Sequence, residues 1–257
     1  MTGQVVLTEF IKLKHSAVTW VTLGAFLLAP WGVALFMWIV RDPHRAADLG
    51  LLGTKANLAG LEATWPAFGG YLVMIVGAGG LVLLAFIVAF LFGREYADGT
   101  AKNLLALPVG RTWFAVGKLV IAAGWWTVLV IAFLIESFCI GLGLALPGFS
   151  AVVVTSTVAD ALGCAGAAFL LAPVVALATV WSRSYLAALG IALGALAMAN
   201  LFAHTGWATW FPWSVVLILS QGVGQADLPW TSYLVLVLAF AAGLVGTGLL
   251  LRFGDNP

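Results

Sequence analysis

The amino-acid sequence predicts an all-α protein that crosses a membrane several times. Of its 257 residues, 63% are hydrophobic and 8% are charged, and the mean hydropathy of +1.11 lies far outside the range of soluble globular domains. The apolar residues form continuous runs of about 20, the length that a helix needs to cross roughly 30 Å of hydrocarbon. The strands of membrane β-barrels are shorter and alternate in polarity, so this pattern favours helices.

Six apolar runs are long enough to be spans. They cover residues 17–40, 68–92, 119–146, 158–181, 185–203 and 231–251. No linker, repeat or change of composition divides the chain, so we expect a single transmembrane domain over residues 1–257.

The distribution of positive charge predicts the orientation of these spans. With both termini in the cytoplasm, eight Lys and Arg residues lie on the cytoplasmic side and three lie outside, and cytoplasmic segments of membrane proteins carry the excess of such residues. The eight are Lys12, Lys14, Arg94, Lys102, Arg111, Lys118, Arg183 and Arg252, and the three are Arg41, Arg45 and Lys55.

Two segments outside the spans have their own helical patterns. Residues 3–15 place polar and apolar residues on opposite faces at helical spacing, which is typical of a helix lying on a membrane surface. Residues 204–230 contain an apolar stretch too short to cross. Here we expect an external pair of short helices or a re-entrant hairpin, with Pro212 starting one helix and Gly222 and Gly224 ending it.

The charged segment between the second and third spans, residues 93–118, predicts a cytoplasmic connector that contacts another protein. We expect Gly93 to close the second span and Asp98-Gly99 to form a turn. Thr100 would then cap a short helix that ends before Pro108. Leu104, Leu105 and Leu107 beside Lys102 and Asn103 give this helix a mixed surface suited to docking. Arg111 and Lys118 follow, and we expect both side chains to reach the membrane interface.

These residues carry a resemblance to a known family. The order Glu95, Gly99-Thr100, Leu104-Leu105, Pro108, Arg111 and Lys118 resembles the signature of type-2 ABC transporter permeases. Glu9-x-x-Lys12-x-x-x-Ser16, just before the first span, is similar to the opening of the same family. Within it, the layout of the chain most resembles the six-span permeases of bacitracin-resistance and lantibiotic-immunity exporters.

The resemblance implies a permease half that pairs with itself or with a related chain and binds two ATP-binding subunits, in the cytoplasmic (inner) membrane of a bacterium. ATP and Mg²⁺ would be bound by the partner subunits, and no nucleic acid would be involved. The cargo would be amphipathic, such as an antimicrobial peptide or a drug, moved out of the cytoplasm or the inner membrane. The contact with the ATPase would involve Glu95, Asp98, Gly99, Thr100, Leu104, Leu105, Pro108 and Arg111.

The sequence contains no catalytic constellation, so we expect a transport subunit that is not itself an enzyme and that binds no cofactor. A P-loop needs G-x-x-x-x-G-K-[ST] to cradle phosphate, and the nearest run, Gly110 to Lys118, has the wrong spacing and lacks the hydroxyl. Cys139 and Cys164 stand alone in predicted spans, without the grouping that a metal site requires.

Glu136 is an acidic residue well inside a predicted span, where a carboxylate is costly unless it is paired, protonated or hydrated. It would either line the substrate path or make a structural hydrogen bond between helices. An alternative function follows from the same residue, namely an ion-coupled carrier that uses Glu136 as its protonation site. Asp160, near the start of the fourth span, is expected to act as a helix cap.

Overall fold

The computed structural model describes residues 2–51, 61–100, 111–221 and 228–253. The described helices are α1 (Thr2–Lys14), α2 (Ala17–Arg41), α3 (Pro43–Asp48), α4 (Trp65–Met74), α5 (Gly80–Ala97), α6 (Arg111–Gly143), α7 (Ala151–Phe169), α8 (Ala172–Ser182), α9 (Tyr185–Phe202), α10 (Pro212–Gln221) and α11 (Trp230–Phe253). A π-helical segment, Ile75–Gly79, joins α4 to α5. Within these ranges the fold is all-helical, as predicted.

Six helical stretches in the described part of the chain are long and apolar enough to cross a membrane, which confirms the predicted number of spans. They are Ala17–Arg41, Trp65–Ala97, Trp113–Gly143, Ala151–Ser182, Tyr185–Phe202 and Trp230–Phe253. Several begin after a hydroxyl side chain that accepts a backbone N–H bond, the usual N-terminal cap. Ser16 accepts from Val18, and Ser150 accepts from Val153.

The helices extend beyond the apolar runs at the end of the bundle where α5 ends and α6 begins, which we call the connector end. Gly93 does not close the second span, because α5 continues to Ala97. Its missing side chain serves packing instead, since a Cβ atom there would lie 2.7 Å from the Cβ of Tyr185 in α9. Lys118 likewise lies within α6.

The fourth span is bent between α7 and α8, where residues 170 and 171 form a turn before Pro173. Asp160 lies in the third turn of α7, and the hydroxyl of Ser150 caps that helix instead, so the expected capping role of Asp160 is wrong. At the bend, Gly243 of α11 packs against the backbone of α8. A Cβ atom at Gly243 would lie 2.5 Å from the carbonyl carbon of Pro173.

The segment between the fifth and sixth spans contributes α10 to the bundle. Val215, Val216 and Leu217 are buried, and a Cβ atom at Gly77 in the π-helical segment would lie 2.3 Å from the Cβ of Ser220. This helix therefore packs directly on the second span. Pro212 starts it, as predicted, whereas Gly222 and Gly224 lie outside the described residues.

The N-terminal segment is helical in the structure, and α1 is held against the bundle at one side. Leu13 and Glu9 are buried, and the hydroxyl of Thr19 donates a hydrogen bond to the carbonyl oxygen of Leu13. Leu7 and Phe10 are exposed, as a helix lying on a membrane surface would require. That location in the membrane stays a prediction.

Candidate functional site

The connector leaves α5 through a glycine turn. Gly99 has a φ of +66°, a backbone conformation that glycine adopts without a steric cost. The N–H of Thr100 donates to the carbonyl oxygen of Glu95 at 2.9 Å, and the N–H of Gly99 donates to that of Tyr96 at 3.3 Å. This pair of hydrogen bonds is the common way in which a helix ends at a left-handed glycine. The predicted turn at Asp98-Gly99 is confirmed.

Four charged side chains meet directly beside this turn, and we call Glu9, Lys12, Glu95 and Lys118 the ion cluster. They come from the second half of α1, the last turn of α5 and the second turn of α6. Glu9, Glu95 and Lys118 are 2%, 6% and 1% exposed. Buried charges are costly unless they are paired and hydrogen-bonded, so the partners of each group decide whether the arrangement is stable.

Lys118 has a partner for each of its three ammonium protons. Its Nζ lies 2.8 and 2.7 Å from the two carboxylate oxygens of Glu95, and it also donates to the carbonyl oxygen of Leu91. Glu9 Oε2 is a further 3.4 Å neighbour. The ammonium also lies 4.8 Å from the ring centroid of Phe114, a distance at which an aromatic face attracts a cation.

Lys12 closes the cluster on its more exposed side. Its Nζ lies 2.9 Å from Glu9 Oε1 and 3.5 Å from Glu95 Oε1. Burial alone would lower the pKa of Lys12, but its hydrogen bond to Glu9 and the charges of Glu9 and Glu95 outweigh burial and raise that pKa above the ordinary value of 10.5. Two carboxylates therefore face two ammonium groups, and the cluster carries no net charge.

The ion cluster joins α1, α5 and α6 at the point where the connector leaves α5. The ion cluster therefore holds these three helices together there. It offers no site for a metal ion, because no group of three His, Cys, Asp or Glu residues in the described ranges could hold one.

Glu136 lies far from this cluster along α6 and links two spans. The indole Nε1 of Trp31 in α2 donates a hydrogen bond of 2.9 Å to Glu136 Oε1. The other carboxylate oxygen, Oε2, is buried and has no hydrogen-bond partner among the described residues. The structure thus shows an interhelical hydrogen bond, one of the two roles expected for Glu136, while a place on a substrate path stays a prediction.

Comparison with known proteins places this architecture in a family. The family model described as ABC-2 family transporter protein matches residues 5–199, which include α1, the connector and the first four spans. The chain belongs to the ABC-2 transporter family. It is therefore a membrane subunit of an ABC transporter, as its resemblance to type-2 ABC permeases predicted.

One curated relative of this ABC-2 permease is the bacitracin transport permease protein BCRB of Bacillus licheniformis. The two sequences are 29% identical over 161 residues, which cover 62% of the present chain and 75% of the relative. This similarity confirms the predicted likeness to permeases of bacitracin exporters.

The structure locates some of the permease residues predicted to contact an ATPase. Asp98, Gly99 and Thr100 form the turn that leaves α5, and the carboxylate of Asp98 pairs with Arg94 at 3.4 Å on the surface. Glu95 points instead into the ion cluster. Leu104, Leu105 and Pro108 lie outside the described residues, and Arg111 begins α6 but its side chain is not described. The role of these residues in coupling stays a prediction.

Three members of the ion cluster were missed as a site. Glu9 and Lys12 had been singled out only for their resemblance to the family opening, and Lys118 was expected to reach the membrane interface, which is wrong because its side chain is buried between α1, α5 and α6. A usable signal was present, since two acids and two lysines lie close to the predicted cytoplasmic ends of consecutive elements. Opposite charges that leave the apolar runs at one level are candidates for pairing.

Proposed function

We propose that this permease works with two ATP-binding subunits and exports an amphipathic substrate from the cytoplasm or the inner membrane of a bacterium. The part of the connector that lies between α5 and α6, residues 98–110, would be the contact with these subunits, and ATP and Mg²⁺ would be bound by them. The observation that supports the proposal most is the ion cluster, because it binds the last turn of α5, where the connector leaves the bundle, to α1 and α6. The missing P-loop in the sequence agrees with an energy source in another chain.

The cargo is proposed from the named relative. BCRB is described as a bacitracin transport permease, so an antimicrobial peptide or a similar amphipathic drug is the first candidate here. Transport would require two states of the bundle that ATP binding and hydrolysis favour in turn. The permease would act as a dimer of this chain or with a related chain, with both termini in the cytoplasm.

The first test asks whether a P-loop ATPase co-purifies with the tagged chain from its native membrane. Mass spectrometry should find such a protein in equal or near-equal amount. A well-folded permease that brings no P-loop protein with it would contradict the proposal.

A glycine variant then tests the connector as the contact. Gly99→Val forces a branched side chain into a left-handed conformation, which costs about 1–2 kcal/mol, and should displace the connector and reduce ATPase recovery severalfold. Gly50→Val is the matched control, because Gly50 has a φ of +70° and no atom of the described residues within 4 Å of an added Cβ atom, but lies after α3, far along the chain from the connector. Equal ATPase recovery with both variants would remove the contact from residues 98–110.

Substitution of Glu95 would be a poorer test of that contact. Its carboxylate holds Lys118 in the ion cluster, so Glu95→Ala would disturb the packing of α1, α5 and α6 together with any contact to an ATPase. Gly99 makes the sharper probe because no atom of the described residues lies within 4 Å of the added Cβ atom.

A further inference from the structure

Two adjoining cavities lie at the end of the bundle opposite the connector, where α2 ends and α4 begins. One, of about 360 Å³, lies between α4 and the last residues of α10. The other, of about 270 Å³, lies between α2 and α4. Both are lined by Ala67 and Tyr71, so the two cavities share part of their walls. The volume of the larger cavity lies within the range of about 300–1,000 Å³ that is typical of small-molecule sites.

The walls of these cavities contain aromatic and apolar side chains beside several polar ones. The rings of Phe36 and Tyr71 meet edge to face with their centroids 5.3 Å apart, and both residues line the smaller cavity. Met74 lines the larger one. Aromatic rings attract organic cations as well as apolar groups, because the ring face carries partial negative charge.

The charge in the walls is negative. Glu62 lines the smaller cavity, and among the described residues it is the one charged side chain that lines either cavity. No described Lys, Arg or His forms an ion pair with it. A carboxylate that has no ion-pair partner among the described residues, at the edge of a membrane-spanning bundle, attracts cations and repels anions.

The wall of the larger cavity includes Gly70, a glycine within α4. Gly70 is exposed and lines this cavity, and a Cβ atom built there would meet no atom of the described residues within 4 Å. A larger side chain at this position would therefore occupy the cavity without pushing on the neighbouring helices. This position allows the space itself to be tested.

We propose that the two adjoining cavities form a binding site for a lipophilic organic cation. The cationic centre lies beside Glu62, and the apolar groups pack against Phe36, Tyr71 and Met74. The site belongs to this chain alone and needs no ATP-binding subunit, so its test is separate from that of the proposed export function.

The experiment measures binding of radiolabelled tetraphenylphosphonium to the purified full-length permease in lipid nanodiscs, with empty nanodiscs as background. Tetraphenylborate, an anion of nearly the same size and shape, is the matched probe. We expect saturable binding of the cation and binding of the anion that is weaker by about tenfold or more, as an unpaired carboxylate beside the ligand would produce. Equal affinity for both ions would overturn the proposal and indicate an apolar groove that takes lipid chains.

Two substitutions locate the binding. Gly70→Leu should abolish binding of tetraphenylphosphonium, whereas Gly163→Leu should retain it, because Gly163 is an exposed helical glycine with the same open surroundings in α7, outside both cavities. Glu62→Gln changes an exposed side chain. It should weaken binding of tetraphenylphosphonium by about tenfold and should leave the affinity for tetraphenylborate unchanged or higher. If the folded Gly70→Leu variant or the Glu62→Gln variant bound tetraphenylphosphonium with the affinity of the wild-type protein, the proposed site would be wrong.

Discussion

Lys118 is the residue whose loss should destabilise the connector end most. Lys118→Met would leave the carboxylates of Glu95 and Glu9 buried with one fewer cation, and removal of one partner from a buried ion pair typically costs about 3–5 kcal/mol. We expect a clearly lower midpoint of thermal unfolding for the purified variant in detergent, measured by the loss of the monodisperse peak in size-exclusion chromatography.

A double variant separates the ion pair from simple loss of packing. Glu95→Gln combined with Lys118→Met removes one charge of each sign, so the double variant should be more stable than the sum of the two single effects predicts. Strictly additive effects would show that Glu95 and Lys118 do not depend on each other, contrary to the 2.7 Å contact between them.

The residues around the connector show which single-residue features could be predicted from the sequence. The turn at Asp98-Gly99 was predictable because its chemistry is local, a glycine that adopts a positive φ. The pairing of Glu95 with Lys118 was missed, although their opposite charges were a signal, because it depends on α5 and α6 both continuing as helix past the apolar runs. A boundary set where hydropathy falls places both residues in a loop, where hydropathy alone gives no reason to pair them.

Among the helices, the contact between α8 and α11 should tolerate substitution least. At Gly243 an added Cβ atom would lie 2.5 Å from two backbone atoms, the carbonyl carbon of Pro173 and the nitrogen of Val174. Backbone cannot rotate away as a side chain can, so Gly243→Ala should force the helices apart and cost about 1–3 kcal/mol, as overpacking generally does.

Gly246, one turn further along α11, provides the control for Gly243→Ala. An added Cβ atom there would meet the ends of the Leu177 side chain at 3.0 Å, and that side chain can change rotamer. Thermal unfolding should therefore show a smaller loss for Gly246→Ala than for Gly243→Ala. The reverse order would place the close approach of α8 and α11 elsewhere.

The prediction of elements succeeded where length and apolarity decide and failed where tertiary contacts decide. The six spans follow from continuous apolar runs. The bend before Pro173 had a signal in the sequence, since a proline inside a helical run ends or kinks the helix, yet the span was predicted as continuous. The close approach of α11 to the backbone of α8 at Gly243 depends on tertiary contacts that hydropathy alone does not indicate.

At the scale of the whole molecule, the helices differ in how much of their surface the chain covers. The spans formed by α4 to α5 and by α7 to α8 are more than half buried, whereas those of α9 and α11 are 17% and 22% buried. Apolar side chains on such helices, including Leu186, Leu201 and Leu238, are exposed to the surroundings. This distribution is what a bundle that meets lipid or a second permease on its outer helices requires.

The orientation of this bundle determines whether the connector can meet a cytoplasmic ATP-binding subunit at all. In a chain with Cys139 and Cys164 replaced, His15→Cys and His204→Cys form a matched pair, because both positions are exposed and lie at opposite ends of the predicted topology. A membrane-impermeant maleimide should label His204→Cys in intact cells and His15→Cys only after permeabilisation, since eight of the eleven Lys and Arg residues lie on the predicted cytoplasmic side. The reverse pattern would put residues 98–110 outside the cell, where no ATP-binding subunit could reach them, and would refute both the topology and the proposed coupling.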